Sequence, residues 1–210
     1  MDNEKALQFF GKLVEKNSDK GVEKYGHDTT SLDAEFILRH ATPGSSLLDL
    51  GSGTGLILNK IETAFGSIDA VEPIVELSRH IVVSPRIRVC NTNIFEFTPS
   101  HRYQLATLFG VMHYFNEAEA RRVYALCHDW IAPGGKLIIK NQFGVQADVT
   151  VSDFSEALGM TYYAQYRHHE KEVSLLESLG FVDAQVVDIY PAECNRWNNT
   201  HFYAIVVTRP

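Results

Sequence analysis

The glycine-rich segment 47–55, which reads LLDLGSGTG, carries the clearest chemical signal in the sequence. An apolar run that stops at glycines predicts a buried strand that turns into a helix. Glycines let the backbone of such a turn approach a ligand closely, because they have no Cβ. The spacing is G-x-G-x-G, with Leu56 where a dinucleotide-binding motif needs its third glycine. The residues of this segment predicted to contact a ligand are Asp49, Gly51, Ser52, Gly53 and Gly55.

Glu72 is the second candidate, and it follows Asp49 by 23 residues and Gly55 by 17. It closes the next predicted strand, so it is expected at the same edge of a parallel sheet as the glycine turn. An acidic side chain at that edge accepts hydrogen bonds from both hydroxyls of a bound ribose. The alternative is a solvated residue before Pro73, which the register with the glycine turn disfavours.

Strands and helices that alternate along the chain must position these residues. The predicted helices are 4–16, 31–40, 55–65, a segment from Pro73 to about His80, 116–132 and 169–180. The predicted strands are 46–50, 67–73, 86–91, 103–111, KLIIKNQ after the Pro133-Gly134-Gly135 turn, 181–189 and 201–208. Residues 143–167 are predicted to be irregular and are rich in aromatic residues.

This alternation predicts an α/β fold, with a doubly wound sheet covered by helices on both faces. The last two strands have no helix between them, so they are expected to pair antiparallel. A chain of 210 residues fits one domain. We expect N-terminal helices and a candidate lid in 1–42, and the sheet core in 43–210.

Over about residues 40–208, the chain resembles the class I, Rossmann-like family of S-adenosylmethionine-dependent methyltransferases, of the small-molecule type. LLDLGSGTG is similar to the family's first motif, and Glu72 to its ribose-binding acid. The resemblance implies a seven-stranded, mostly parallel sheet with a reversed last strand, in the order 3-2-1-4-5-7-6. It also implies S-adenosylmethionine as the cofactor.

The same resemblance assigns three further cofactor contacts. Asn93 and Ile94 stand where the family holds adenine, and the backbone near Phe109 and Gly110 stands where it meets the methionine part. Asn93 departs from the acidic residue usual there, but its amide oxygen can still accept a hydrogen bond from the adenine amino group.

Methyl transfer from a sulfonium is an in-line displacement, so the protein must chiefly align the reactants and exclude water. His113, after the fourth strand, and His27, in the loop before the glycine turn, are candidate general bases. Each also has a non-catalytic alternative. The family often carries a histidine without a catalytic role near the position of His113, and His27 fits an ordinary surface loop. Tyr25 is a candidate to face the sulfonium through its ring.

Five further residues are candidates to line an acceptor pocket, with simple packing as the alternative for each: Tyr162, Tyr163, Tyr166, Trp197 and His201. No metal is expected, because the segment Gly110-Val111-Met112-His113 lacks the carboxylate that magnesium-dependent relatives carry after the fourth strand.

The formal net charge of −7 disfavours a nucleic-acid partner. We find neither a secretory signal nor an apolar run long enough for a membrane span, and the three cysteines are widely spaced. We therefore expect a cytoplasmic protein that methylates a small-molecule acceptor such as a metabolite, sugar or natural product. The alternatives are a protein or RNA methyltransferase, which would call for a basic face, and a non-catalytic partner that binds S-adenosylmethionine.

Overall fold

A computed structural model describes residues 3–16, 28–156, 159–194 and 197–210. Its helices are α1 (Asn3–Lys16), α2 (Thr30–His40), α3 (Leu58–Ile61), α4 (Val75–Ser78), α5 (Glu117–Trp130) and α6 (His169–Ser178). Its strands are β1 (Ser46–Leu50), β2 (Ser67–Val71), β3 (Ile87–Cys90), β4 (Tyr103–Phe109), β5 (Ile131–Gly144), β6 (Val149–Ser155), β7 (Met160–Tyr166), β8 (Val182–Asp188) and β9 (Thr200–Thr208).

Seven strands form the main sheet, in the order β3-β2-β1-β4-β5-β9-β8. The first five pair in parallel, and β9 pairs antiparallel with both β5 and β8. Because β8 and β9 are the sixth and seventh strands of this sheet in chain order, the predicted order 3-2-1-4-5-7-6 and the reversed last strand are confirmed.

Helices cover both faces of the sheet, as the alternation predicts. On one face α2 and α3 bury Phe36, Ile37 and Leu58 against the sheet. On the other face α5 and α6 bury a second cluster that includes Tyr124 and Leu176. A capping box starts α5, in which Asn116 and Glu119 satisfy each other's backbone N–H groups. These two layers hold the carboxyl ends of the parallel strands at one edge.

Three predicted elements are wrong in extent or kind. The helix predicted at 55–65 is four residues of α3 followed by a 3-10 turn at 62–64, and the helix after Pro73 is only the short α4. The region 143–167 is not irregular, because β6 and β7 form an antiparallel two-stranded sheet within it. That hairpin was missed because its alternation of polar and aromatic residues lacks the long apolar run used to find the core strands.

Strand β5 continues past the end of β4. The pairing of β4 with β5 ends at Phe109 and Lys140, whereas β5 and β9 stay paired as far as Gly144 and Thr200. The ribbon formed by residues 141–144 and 200–203 therefore projects beyond the carboxyl edge of the parallel strands.

No helix among the described residues is long and apolar enough to cross a membrane.

Candidate functional site

The glycine turn leaves β1 in a backbone conformation that requires glycine. Gly51 and Gly53 have φ angles of 78° and 54°, in the left-handed region that side chains disfavour. The Gly51 N–H donates to the Val71 carbonyl over 2.8 Å, which ties the turn to the end of β2. A Cβ on Gly53 would meet nothing within 4 Å, so this part of the turn faces open space. The turn forms a cradle for a ligand.

Glu72 lies directly across from that turn and is 6% exposed. Its Oε2 accepts a hydrogen bond from the Gly53 N–H over 2.9 Å, and its Oε1 accepts one from the Ile74 N–H over 2.9 Å. Burial raises the pKa of this carboxyl above its ordinary value, and the neighbouring charge of Asp49 adds to the rise. The two backbone donors oppose the rise and fix the carboxylate in the wall of the site.

Asp49 supports the turn from β1. Its Oδ1 accepts a hydrogen bond from the Thr107 hydroxyl over 2.7 Å, and the Ser52 hydroxyl donates to its backbone carbonyl over 3.0 Å. Burial raises the pKa of the Asp49 carboxyl. Asp49 and Ser52 thus link the glycine turn to β4.

The turn and Glu72 share one cavity of about 290 Å³, which we call the glycine-loop cavity. The predicted cofactor residues that line it are Gly51, Gly53, Glu72, Asn93, Ile94 and Phe109. Asp49, Ser52 and Gly55 are not among its lining residues. Their observed contacts shape the turn from behind instead. For Gly55 the reason is space, because a Cβ there would come within 3.1 Å of the Ile81 backbone.

Asn93 is held by two contacts. Its Oδ1 accepts from the Phe95 N–H over 3.0 Å, and its Nδ2 donates to Asn3 Oδ1 over 3.0 Å. An amide oxygen has two lone pairs, so Oδ1 retains the capacity to accept a second donor. The prediction that Asn93 accepts from adenine therefore stands as a prediction, with one lone pair already used.

Helix α1 closes one side of the glycine-loop cavity through Asn3, Ala6, Leu7 and Phe10. The Asn3 N–H donates to Glu119 Oε1 over 3.0 Å, which ties the start of α1 to the cap of α5. Sequence reasoning missed these residues as site residues. Leu7 and Phe10 mark an apolar helix face, but periodicity does not show which partner that face meets.

A second cavity, of about 120 Å³, shares the lining residue Gly110 with the first, and we call it the His113 cavity. Its lining residues are Gly110, His113, Lys140, Asn141, Gln142, Tyr166 and Phe202. His113 is 9% exposed, and its Nδ1 lies 3.0 Å from Asn141 Oδ1. The carbonyl oxygen can only accept, so Nδ1 carries the proton and the ring lone pair is on Nε2.

Lys140 belongs to a buried chain of polar groups in the same wall. Its Nζ lies 3.2 Å from Asp33 Oδ2, and the Tyr190 hydroxyl donates to Asp33 Oδ1 over 2.6 Å. The ammonium also lies 5.4 Å from the Phe109 ring centre and 5.3 Å from that of Tyr190. Burial and the Asp33 charge both raise the pKa of Tyr190, so it stays a neutral donor.

The loop that carries His113 is fixed by a buried ion pair. The Arg167 guanidinium donates to the carbonyls of Met112 and Phe115 over 2.9 and 2.7 Å, and to Glu172 Oε1 over 2.5 Å. The side chains of Arg167 and Glu172 are 5% and 1% exposed. Arg167 follows β7, so the unpredicted hairpin helps to hold the loop after β4.

The remaining predicted residues divide. Tyr25 and His27 lie outside the described residues, so their roles stay predictions. Tyr166 lines the His113 cavity, whereas Trp197 is 48% exposed. His201 lies on β9, with its Nε2 2.9 Å from Asp188 Oδ2. Within the described ranges, no three histidines, cysteines or carboxylates are grouped as a metal site would require.

The comparisons with known proteins agree with this geometry. Residues 47–135 match the family model described as a methyltransferase domain. No curated protein sequence matches the chain. Three solved structures share the fold.

A DhpI complex with SAH has 14% sequence identity and a TM-score of 0.71, and the match covers 94% of this chain and 92% of that one. The N-methyltransferase NodS from Bradyrhizobium japonicum WM9, with S-adenosyl-L-homocysteine, has 13% identity and a TM-score of 0.69, and the match covers 96% of this chain and 98% of that one. The glycopeptide N-methyltransferase MtfA, with S-adenosyl-L-methionine, has 15% identity and a TM-score of 0.68, and the match covers 89% of this chain and 96% of that one.

These comparisons support the resemblance drawn from the sequence. Residues 47–135 match a methyltransferase domain, and the chain has the Rossmann-like fold of the class I S-adenosylmethionine-dependent enzymes. Each of these three solved structures holds S-adenosylmethionine or its demethylated product, which agrees with the cofactor predicted for this chain.

Proposed function

We propose that this protein binds S-adenosylmethionine in the glycine-loop cavity and transfers its methyl group to a small-molecule acceptor. The observation that carries the proposal is the 2.9 Å hydrogen bond that joins Glu72 to the Gly53 N–H in the cavity wall. It puts an acidic side chain next to the glycine turn in the wall of one cavity, which is the arrangement a ribose with its neighbouring groups requires.

The described residues fit that cofactor. Glu72 offers two carboxylate oxygens with lone pairs left for ribose hydroxyls, and hydrogen bonds to a carboxylate are stronger than neutral ones. Asn93 and Ile94 are assigned to adenine, and Phe109 to the methionine part, at the other walls of the cavity. When bound, the cofactor supplies a methyl group that its sulfonium has already activated for displacement.

The acceptor is assigned to the His113 cavity, because that cavity adjoins the first at Gly110. His113 is the proposed general base, and Asn141 is its positioning residue. With the proton on Nδ1 held by Asn141, the Nε2 lone pair can take the proton that an O–H or N–H acceptor loses. Metal-independent transfer is part of the proposal, since this assignment uses only imidazole and alignment.

Calorimetric titration tests the cofactor assignment. We expect S-adenosylhomocysteine and S-adenosylmethionine to bind with heat changes that saturate, and NAD to bind far more weakly, because the turn is G-x-G-x-G. The thermal midpoint should rise with the first two ligands by mass action. Stabilisation by NAD alone would overturn the assignment.

A labelling experiment tests the acceptor class. The protein is incubated with methyl-labelled S-adenosylmethionine and three fractions of one cell extract: small molecules, protein and RNA. We expect the label in the small-molecule fraction. Label that appears only in protein or RNA would support the alternative acceptors and reject the small-molecule assignment.

A further inference from the structure

The charge in the wall of the His113 cavity points to a chemical class of acceptor. Among the described residues that line this cavity, Lys140 carries the one permanent charge. Its side chain is 12% exposed and its partner Asp33 is 2% exposed, so the ammonium is held away from bulk water. Asp33 lies behind Lys140 on α2 and is not itself a lining residue.

This buried ion pair contributes little net stability by itself. Burial strips water from both charges, and a well-packed apolar pair at such a position is often at least as stable. An ammonium has three N–H donors. Asp33 takes one, and the Phe109 and Tyr190 rings lie near the others at distances above 5 Å. The arrangement leaves donor capacity on a cation that lines a cavity.

The same wall holds a buried polar atom for which the described part of the chain offers no hydrogen-bond partner. Gln142 is 4% exposed, and its Nε2 donates to the Thr200 hydroxyl over 2.6 Å. Its Oε1 is buried and accepts no hydrogen bond from any described residue. A buried acceptor without a donor is costly, so this wall suits a polar ligand better than an apolar one.

We infer that the methyl acceptor is a small molecule bearing an oxyanion, such as a carboxylate, which Lys140 binds in the His113 cavity. The inference rests on the proposed function, because it makes this cavity the acceptor site. Lys140 supplies the positive charge, and Asp33, held by Tyr190, keeps the ammonium in the wall. Gln142 accepts a hydrogen bond from an N–H or O–H elsewhere on the acceptor.

The test uses two probes of similar size and shape, one a carboxylate anion and the other a neutral amide. Difluoroacetate and difluoroacetamide are titrated into the protein saturated with S-adenosylhomocysteine, and binding is followed by ¹⁹F NMR. We expect difluoroacetate to bind at least about tenfold more tightly than the amide, with displacement by acetate. Equal binding of the two probes, or no binding of either, would overturn the inference.

Two substitutions of the ion pair make the test sharper, because only one of them is expected to remove the preference for difluoroacetate. In Lys140→Met the preference for difluoroacetate should fall to within about twofold. In Asp33→Asn it should persist or increase, since Lys140 loses its competing anion while the amide oxygen still accepts from Tyr190. If the ion pair only tethers α2 to β5, both variants lose thermal stability and neither changes the preference, which rejects the inference.

Binding of S-adenosylhomocysteine, measured separately in each variant, reports folding and the cofactor assignment. Lys140→Gln replaces Lys140→Met if the latter does not bind it. A wild-type protein that fails to bind S-adenosylhomocysteine contradicts the proposed function. A protein that binds it but does not distinguish the probes contradicts only the oxyanion inference.

Discussion

The two cavities are built in different ways. In the glycine-loop cavity, Gly51, Gly53, Glu72 and Asn93 follow β1, β2 and β3 and lie in one stretch of the chain in strand order, and α1 adds Asn3. The His113 cavity gathers residues from the ends of β4, β5, β7 and β9. Its lining residues are separated in sequence by up to 92 positions, from Gly110 to Phe202.

This difference separates a general binding site from a specific one. Backbone atoms of the glycine turn and one carboxylate supply much of the polar lining of the glycine-loop cavity, so the local sequence determines the chemistry of that cavity. The His113 cavity depends on side chains carried by a projecting ribbon and a hairpin, whose lengths and registers can vary while the sheet is kept. We expect substitutions in the first region to act on cofactor affinity and those in the second on stability and acceptor choice.

The largest effect is expected at the ion pair that supports the second region. Arg167→Met leaves Glu172 buried and unpaired and removes the donors to the Met112 and Phe115 carbonyls. We expect a loss of about 3–5 kcal/mol in the free energy of unfolding, measured by urea denaturation. Lys171→Met is the control, because its ion pair with Asp148 is exposed and should matter little.

The double variant Arg167→Met/Glu172→Leu should recover part of that stability, because it removes both buried charges. A double variant no more stable than Arg167→Met alone would contradict the assignment of the loss to an unpaired charge.

Gly53→Val should reduce affinity for S-adenosylhomocysteine by about a hundredfold or more, since its side chain enters the space the ligand needs. Gly134→Val is the matched control. Gly134 also has a positive φ, 76°, and open space around its Cβ position, but it lies near the start of β5, at the end of that strand away from the glycine-loop cavity. Both variants should lose similar stability from backbone strain, and only Gly53→Val should lose binding by calorimetry. Equal binding by the two variants would reject the glycine cradle.

Glu72→Ala should weaken S-adenosylhomocysteine binding by at least about tenfold, because hydrogen bonds to a charged group contribute about 1.5–3 kcal/mol each. Glu72→Gln should weaken it less, since one acceptor oxygen is kept. The Ala variant also frees the Gly53 and Ile74 N–H groups. Dissociation constants from titration, with circular dichroism as the folding control, measure the series. An unchanged constant in Glu72→Ala would remove the ribose assignment.

The pH dependence of binding should follow the raised pKa of Glu72. The carboxylate form accepts ribose hydroxyls best, so affinity for S-adenosylhomocysteine should fall as the pH drops through that pKa, at a higher pH than for a solvated glutamate. For the free protein the sign is opposite. A raised folded-state pKa means that this group's favourable contribution to stability is present at acid pH and lost as the pH rises through the folded pKa. Titrations across pH on the wild type and Glu72→Gln check this, and a decline that persists unchanged in Glu72→Gln would contradict it.

The smallest effect is expected from a chelator. Once an acceptor is known, activity should be the same with and without EDTA, because the proposed chemistry uses His113 and alignment rather than a Lewis acid. Loss of activity with EDTA and recovery with magnesium would show that a metal takes part. The His113 cavity would then have to contain ligands for that metal.

The sequence by itself determined the first region. Apolar strands that end in glycines, and an acid at the end of the next strand, are local patterns, and parallel strands bring their carboxyl ends to one edge whatever the details of packing. The strand order and the reversed last strand followed from the alternation and the family resemblance. Asp49, Ser52 and Gly55 were also predicted as cofactor contacts, but in the structure their contacts support the turn rather than line the cavity.

Only the tertiary structure decided the second region. Lys140, Asn141 and Gln142 are consecutive on a strand to which the sequence assigned no site residue. Their position in the cavity depends on how far β5 runs past β4. The hairpin of β6 and β7 has no strong local sequence pattern. The role of Arg167 depends on hydrogen bonds to the carbonyls of a loop more than 50 residues away in sequence. Long-range register and the pairing of buried charges arise from packing between distant segments, which local patterns of residue type do not encode.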